Sequence, residues 1–245
     1  MIGLFNTFIY EPIYNALALI VTTIPGGDVG VAIILLTIVI KLALFPLSLS
    51  AIRTQVLMRE IDPQLKKIKK DFENNREELA RRTMALLKEK KVNPFASIFL
   101  ILIQIPVILG LYFVFSLNGA GSGFNPDVLY SFVSLPENAS FMFLGLVDLT
   151  GKSFLLAAAV AVTQFYNARL MMPMTPQGDE GSLQHDLAKS MNLQMRYVFP
   201  IVMGVVAYII SAAIALYFLI SNLFQLFQEL YVKRSRVQEE NHEQA

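Results

Sequence analysis

Hydrophobic positions fall along this chain in long unbroken blocks, without the alternation of half-buried strands. Val29–Ser50 is apolar apart from Lys41, and Phe95–Leu117 carries no charge. Ser153–Ala168 is uncharged between Lys152 and Arg169, and Tyr197–Gln228 runs 32 residues between Arg196 and Glu229. At ~1.5 Å per helical residue the first block reaches about 33 Å, enough to cross a ~30 Å hydrocarbon core. The pattern predicts membrane-spanning helices.

Composition agrees. Apolar residues make up 55% and charged residues 16% of the 245 positions, and the mean hydropathy is +0.53. That leaves too little polar surface for a soluble globule and too little charge for disorder. There is no cysteine, which excludes disulfides, thiolate metal sites and Cys nucleophiles; His185 and His242 lie in polar segments. No cofactor and no metal is expected.

The net charge is only +1, which suggests no nucleic-acid recognition, but its distribution is lopsided. Twelve of the twenty Lys and Arg fall between Arg53 and Lys91, three at Arg169, Lys189 and Arg196, and three at Lys233, Arg234 and Arg236. Residues 1–28 and 118–151 have none. Because basic loops stay in the cytoplasm, 53–91, 169–196 and the tail are expected inside, and the N-terminus and 118–151 outside. Both ends of the 32-residue run then lie inside, so it should cross twice, as two short helices of about 14–16 residues turning near Tyr208–Ala213.

The expected class is an all-α polytopic membrane protein with five transmembrane helices, N-terminus out and C-terminus in. The expected segments are an outer interfacial helix (1–28), the first span (29–52), a charged cytoplasmic hairpin (53–93), the second span (94–117) and an outer loop (118–152). A third span (153–172), a cytoplasmic loop (173–195), the last two short spans (196–231) and a cytoplasmic tail (232–245) complete them. For residues 4–24 an interfacial amphipathic helix on the outer face fits better than a spanning one. Phe141–Val147 is expected in the same interface.

Within the hairpin, Ile61, Leu65, Ile68 and Phe72 recur at helical spacing, as do Leu79, Leu86 and Leu87 after the Asn74-Asn75 break. Two antiparallel amphipathic helices follow, Pro63–Glu73 and Arg76–Lys90. The basic side chains Arg59, Lys66, Lys67, Lys69, Lys70, Arg81 and Arg82 form either a solvated positive-inside face or a docking surface for headgroups, a ribosome or a client chain.

Lys41 stands out. A lysine at mid-bilayer costs about 2.5–3.5 kcal/mol on insertion scales, so it is a functional candidate by default. The plain alternative is snorkelling to the inner headgroups, but nine residues, about 13 Å of straight helix, separate it from Ser50. Thr37 lies one turn away, and other spans offer Gln104, Gln164, Asn167, Ser211, Ser221, Asn222 and Gln225. No acid lies deep in a span, so water or carbonyl dipoles must solvate the ammonium. The amides read either as groove lining or as interhelical glue.

Three groups of residues resemble the YidC/Oxa/Alb-type membrane protein insertases, in the short form lacking the large periplasmic domain. They are Ile40-Lys41 with Phe45-Pro46-Leu47; Lys91-Val92-Asn93-Pro94 with Gln104-Ile105-Pro106 and Leu111-Tyr112; and Leu216-Tyr217 with Ile220-Ser221-Asn222-Leu223. The resemblance covers roughly Val29 to Tyr231. It implies a helical core around a hydrophilic groove open to the cytoplasm and inner leaflet, in the bacterial plasma membrane. Family members usually carry Arg at the Lys41 position, so the charge is kept here and the bidentate fork is lost.

By that resemblance the chain is a non-enzymatic insertase and chaperone for nascent membrane proteins. Lys41, Thr37, Gln104, Gln164, Asn167, Tyr217, Ser221 and Asn222 are expected to line a client-binding groove, with the hairpin receiving the client. Membrane lipids are partners, and a ribosome and a Sec-type translocon are candidate partners. No Walker-type GxxxxGK[ST] is present to couple the work to nucleotide hydrolysis. The rival class is a small transporter or channel subunit with Lys41 as intramembrane counter-ion.

Overall fold

A computed structural model describes residues 2–73, 75–90, 92, 96–116, 124–171 and 190–243, with side chains except at 2, 59, 96–103, 116, 171 and 236–243. Residues 173–189 of the loop expected at 173–195, Lys91 and Asn93-Pro94 of the motif, and the side chains of Arg59, Arg236 and His242 lie outside the described residues, while 190–195 are helical.

Helices dominate. The first, α1 (Glu11–Thr23), continues backward through a π turn at Asn6–Tyr10, so that Gly3–Thr23 is one apolar rod of 21 residues. Next come α2 (Val29–Ala43), α3 (Phe45–Glu60), α4 (Asp62–Asp71), α5 (Arg76–Glu89) and α6 (Ala96–Ser116). A small antiparallel hairpin, β1 (Met142–Phe143) and β2 (Val147–Asp148), precedes α7 (Phe154–Met171), α8 (Phe199–Ile210) and α9 (Ala212–Glu243). A helix therefore lies under each of the five segments expected to cross.

Among the described residues, three helices are long and apolar enough to cross a membrane: Gly3–Thr23, Ser190–Ile210 and Ala212–Ser235. The bent pair Val29–Ala43 and Phe45–Met58 makes a fourth if taken together, and Gln104–Phe115 and Phe154–Leu170 are shorter apolar helices. This is a multi-pass, all-α membrane protein.

Three sequence expectations need adjusting. The first span is not straight: the chain bends by 66° between α2 and α3. Pro46 supplies no N–H for the Leu42 carbonyl, and its ring disfavours helical backbone just before it. Measured along α2, the drop from Lys41 to Ser50 shrinks from about 13 Å to about 8 Å. The last two helices are also longer than the short pair expected: a π turn at Gln194–Val198 carries α8 back to Ser190, and α9 runs on past the apolar block into polar sequence that a hydropathy boundary excludes. Their turn is a single extended residue, Ser211, at φ −170° and ψ 160°. Finally, Gly3–Thr23 shows no fully exposed polar face. It packs on α2 and α6, with Tyr14, Leu17, Ala18 and Val21 buried.

Packing is uneven along the bundle. Around α7, which packs on both α8 and α9, the core gathers Val29, Ala32, Ile33 and Leu36 of α2 and Leu111, Val114 and Phe115 of α6. Leu156 and Val160 of α7 and Ala212–Phe218 of α9 join it, with Tyr14, Leu17 and Val21 of α1, Leu149 and Ala207. All lie toward one end, the end that also carries the 124–153 loop. Beyond Thr37, Gly110 and Phe218 the same helices are half-buried or exposed at most positions. One end of the bundle is solid, and the other is splayed in that most of its helix positions are half-buried or exposed around a smaller buried set, Ala51, Ile52, Thr54, Gln228, Glu229 and Val232.

The loop end is held by backbone. Asp28 caps α2, its carboxylate accepting from Gly30 N at 2.8 Å and Val31 N at 3.1 Å. Gly27 sits at φ +61°, where a Cβ would also collide with the Asn138 carbonyl. The same loop satisfies the first amides of α9: Ala212 N donates to Gly151 O at 2.8 Å and Ala213 N to Leu149 O at 3.2 Å.

Away from the bundle, Ile61, Leu86, Leu87 and Val92 form a second small core with Leu57, Met58, Leu65 and Ile68, which seats α5 against α4 and the end of α3. Helix α4 starts at Asp62 with Pro63 in its first turn, and α5 is capped by Asn75, whose side chain accepts from Glu78 N.

Candidate functional site

Lys41 occupies the last turn of α2, where the helix is stopped by Pro46. The negative end of a helix dipole favours a cation by about 0.3–1 kcal/mol, and up to ~2 kcal/mol when partly buried. An ammonium here is thus stabilised without a carboxylate partner. Its Nζ donates to Gln104 Oε1 at 3.3 Å, and Gln104 Nε2 in turn donates to the Tyr217 hydroxyl. Three helices, α2, α6 and α9, are joined by this relay, which sits where the solid end gives way to the splayed end.

The three members differ in access. Tyr217 is buried, whereas Lys41 and Gln104 are half-buried. Beside Lys41, Leu42 and Ala43 are exposed, as is Ile105 beside Gln104. The relay's buried terminus is therefore aromatic and its accessible terminus is the cation. Thr37, one turn from Lys41, is only 1% exposed and donates its hydroxyl to Ile33 O at 2.6 Å; it is satisfied within its own helix.

The remaining expected residues gather elsewhere. Asn167 and Asn222 are buried between α7 and α9: Asn167 Nδ2 donates to Asn222 O at 3.2 Å, and Asn222 Nδ2 to Thr163 Oγ1 at 3.2 Å and Val160 O at 3.5 Å. Ser221 is buried one turn beyond Tyr217, and Gln164 is half-buried on α7. So the structure brings together Lys41, Gln104 and Tyr217, and separately Asn167, Asn222 and Thr163.

Of the basic residues around α4 and α5, several are already engaged. Lys66 pairs with Asp62 at 2.8 Å, and Arg81 and Arg82 both bind the Glu78 carboxylate at 2.8 Å. Those two guanidiniums hold the Glu78 carboxyl down at about 2. Arg82 also stacks over Phe72, 5.7 Å from its ring centre, tying α5 to α4. Lys67, Lys69 and Lys70 are exposed on α4.

Sequence reading missed two features near the splayed end. Gln228 Nε2 donates to Ser48 Oγ at 2.6 Å, locking α9 to α3. Glu229, taken as the water-side limit of the last apolar run, is 3% exposed. The signal was the continuing spacing Phe218, Asn222, Gln225, Glu229, Val232 on one helical face, which ignores the change in polarity.

The sequence profile of the 60Kd inner membrane protein family matches residues 20–240. A Clostridium tetani protein named membrane protein insertase YidC is 33% identical over 214 residues, covering 87% of this chain and 86% of that protein. One of the same name from Clostridium acetobutylicum is 36% identical over 200 residues, 81% and 71% of the two chains. A third, from Fusobacterium nucleatum, is 29% identical over 230 residues and covers 93% and 98%. This chain belongs to the 60Kd inner membrane protein family, and the resemblance drawn from the three motif groups holds across most of its length.

Proposed function

We propose that this chain is a membrane protein insertase that lowers the cost of moving a client's polar flank across the bilayer. It does so through a wet cationic groove open to the cytoplasm and the inner leaflet. The observation that carries the reading is the Lys41–Gln104–Tyr217 relay at the boundary between the solid and splayed ends of the bundle. A half-buried cation with an amide and a helix C-terminus as its only described partners needs water, and the splayed end admits it.

The five segments 29–52, 94–117, 153–172 and the pair within 196–231 cross the membrane, with the loop end outside and α4–α5 in the cytoplasm. An acidic residue in the client's N-tail is drawn toward Lys41 while the client's apolar segment leaves sideways into lipid. No bond is made or broken and no nucleotide is needed. Partitioning of the client supplies the free energy, and Lys67, Lys69 and Lys70 on α4 meet the emerging chain.

The test is insertion of a single-span client with an acidic N-tail into proteoliposomes. Lys41→Ala should slow it about tenfold, equivalent to ~1.4 kcal/mol, with Lys41→Arg near wild type. A client whose tail has no charge should hardly respond. Equal insertion of the acidic client by wild type and Lys41→Ala would refute the groove-charge reading.

A further inference from the structure

The 139–151 segment at the loop end is clamped from three sides. Val29 N donates to Ser140 O at 2.9 Å and Ser140 N to Gly27 O at 2.8 Å, so the segment runs beside the start of α2. Asp28 Oδ2 accepts from Leu144 N at 2.8 Å, using the carboxylate oxygen not spent on the helix cap. Phe143 lies against Gly30, where any Cβ would strike its ring. The amides opening α9 bind Leu149 O and Gly151 O.

This fixed backbone carries two apolar faces. Phe141, Phe143 and Val147 face the protein core. Met142, Leu144 and Leu146 are 44%, 63% and 82% exposed. A hairpin with water on its outer side alternates apolar with polar residues, and this one does not. Its turn deepens the anomaly. Leu144 and Gly145 are consecutive left-handed residues, at φ +50° and +69°, and Leu144 is the one non-glycine residue with positive φ among the described residues. Asn, Asp or Gly suits that position, and a leucine there is strained.

The exposed face continues a lipid-facing surface. Phe154 and Leu155, which open α7, are 79% and 73% exposed. Between hairpin and helix, Lys152 holds its ammonium 5.7 Å from the centre of the Tyr208 ring of α8, a Lys–Tyr pairing suited to the headgroup level.

We infer that the 142–146 turn is a lipid anchor, inserting Met142, Leu144 and Leu146 into the glycerol and upper acyl region of the leaflet at the loop end. Through Asp28 it fixes the depth of α2. From Asp28 to Lys41 is about 20 Å of helix, so the anchor sets how far the cation lies from that leaflet. The anchor stands on the membrane location of the chain and not on its insertase role.

The chain has no tryptophan, so Leu146→Trp supplies a single probe. In phosphatidylcholine–phosphatidylglycerol vesicles its emission should be blue-shifted. Lipids brominated high on the acyl chain should quench it several-fold more than they quench Glu137→Trp in the same loop. Adding Leu144→Asn, which suits the backbone, should weaken that quenching while the protein stays folded in detergent. Red-shifted, acrylamide-quenched emission blind to bromolipid overturns the anchor. So does emission that is protected but bromine-insensitive and varies with protein-to-lipid ratio, the result for a contact between two copies.

Discussion

The two polar clusters inside the bundle are built from similar side chains and behave oppositely. Asn167 and Asn222 are buried between α7 and α9 beside the half-buried Thr163, and the amide N–H groups end on backbone carbonyls or a hydroxyl of the facing helix. Lys41, Gln104 and Tyr217 pass from a buried phenol through an amide to a half-buried cation at a helix end. The first cluster spends its amide donors between the two helices and fastens them. The second leads outward and ends on a half-buried charge, which in the proposed reading meets water. A polar residue in a span is therefore assigned to stability or to function by where its last hydrogen bond goes.

The strongest way to break this contrast is to compare stability. Asn222→Ala should cost about 1–2 kcal/mol in detergent unfolding, because both bonds to α7 are lost. Lys41→Ala should leave the midpoint nearly unchanged. Equal destabilisation by the two would erase the distinction. Gly204→Ala, next to the amide cluster, should cost about 1 kcal/mol. Its new methyl would sit 2.9 Å from Ala161 Cβ and 3.1 Å from the Ala157 carbonyl oxygen, forcing α8 off α7. A thermal scan that does not move would show that the helices yield freely.

Within the relay, Tyr217→Phe removes the hydroxyl that accepts from Gln104. The expected loss is about 0.6 kcal/mol of stability, together with slower insertion of acidic-tailed clients measured in proteoliposomes. The smallest effect belongs to Glu78. Its carboxyl is held at about 2 against an ordinary 4.5 by Arg81 and Arg82. A depressed carboxyl stabilises the fold above its unfolded value, and the contribution disappears as pH falls through about 2. Protection of the α5 amides, taken as exchange relative to the intrinsic rate at each pH, should therefore fall from pH about 4.5 downward, and Glu78→Gln should flatten that dependence.

Lys41 and Gln104 were legible in the sequence because an ionisable residue in an apolar block is costly enough to need a reason. The break at Ser211 was legible from charge, since both flanks of the last run are basic. The bend after Ala43 was written in Pro46 and still overlooked, because an uninterrupted apolar run outweighs one residue in a hydropathy reading. Asp28 drew no reading from the sequence, and its bond to Leu144 joins positions 116 apart in the chain. Such backbone contacts leave no pattern in residue type. Thr37 and Asn222 could not be told apart from relay residues, because sequence gives a polar group's height in a helix but not its partner.

The most direct test uses the absence of cysteine. Lys41→Cys and Gln104→Cys each place one thiol in the relay, and a thiol beside water reacts with a charged, membrane-impermeant maleimide. Applied to vesicles with the cytoplasmic side outward, that reagent should modify both positions, and an Asn222→Cys thiol should stay unmodified until the protein is unfolded. If positions 41 and 104 react only with a lipophilic maleimide, the cation faces acyl chains and not water, and the groove does not exist.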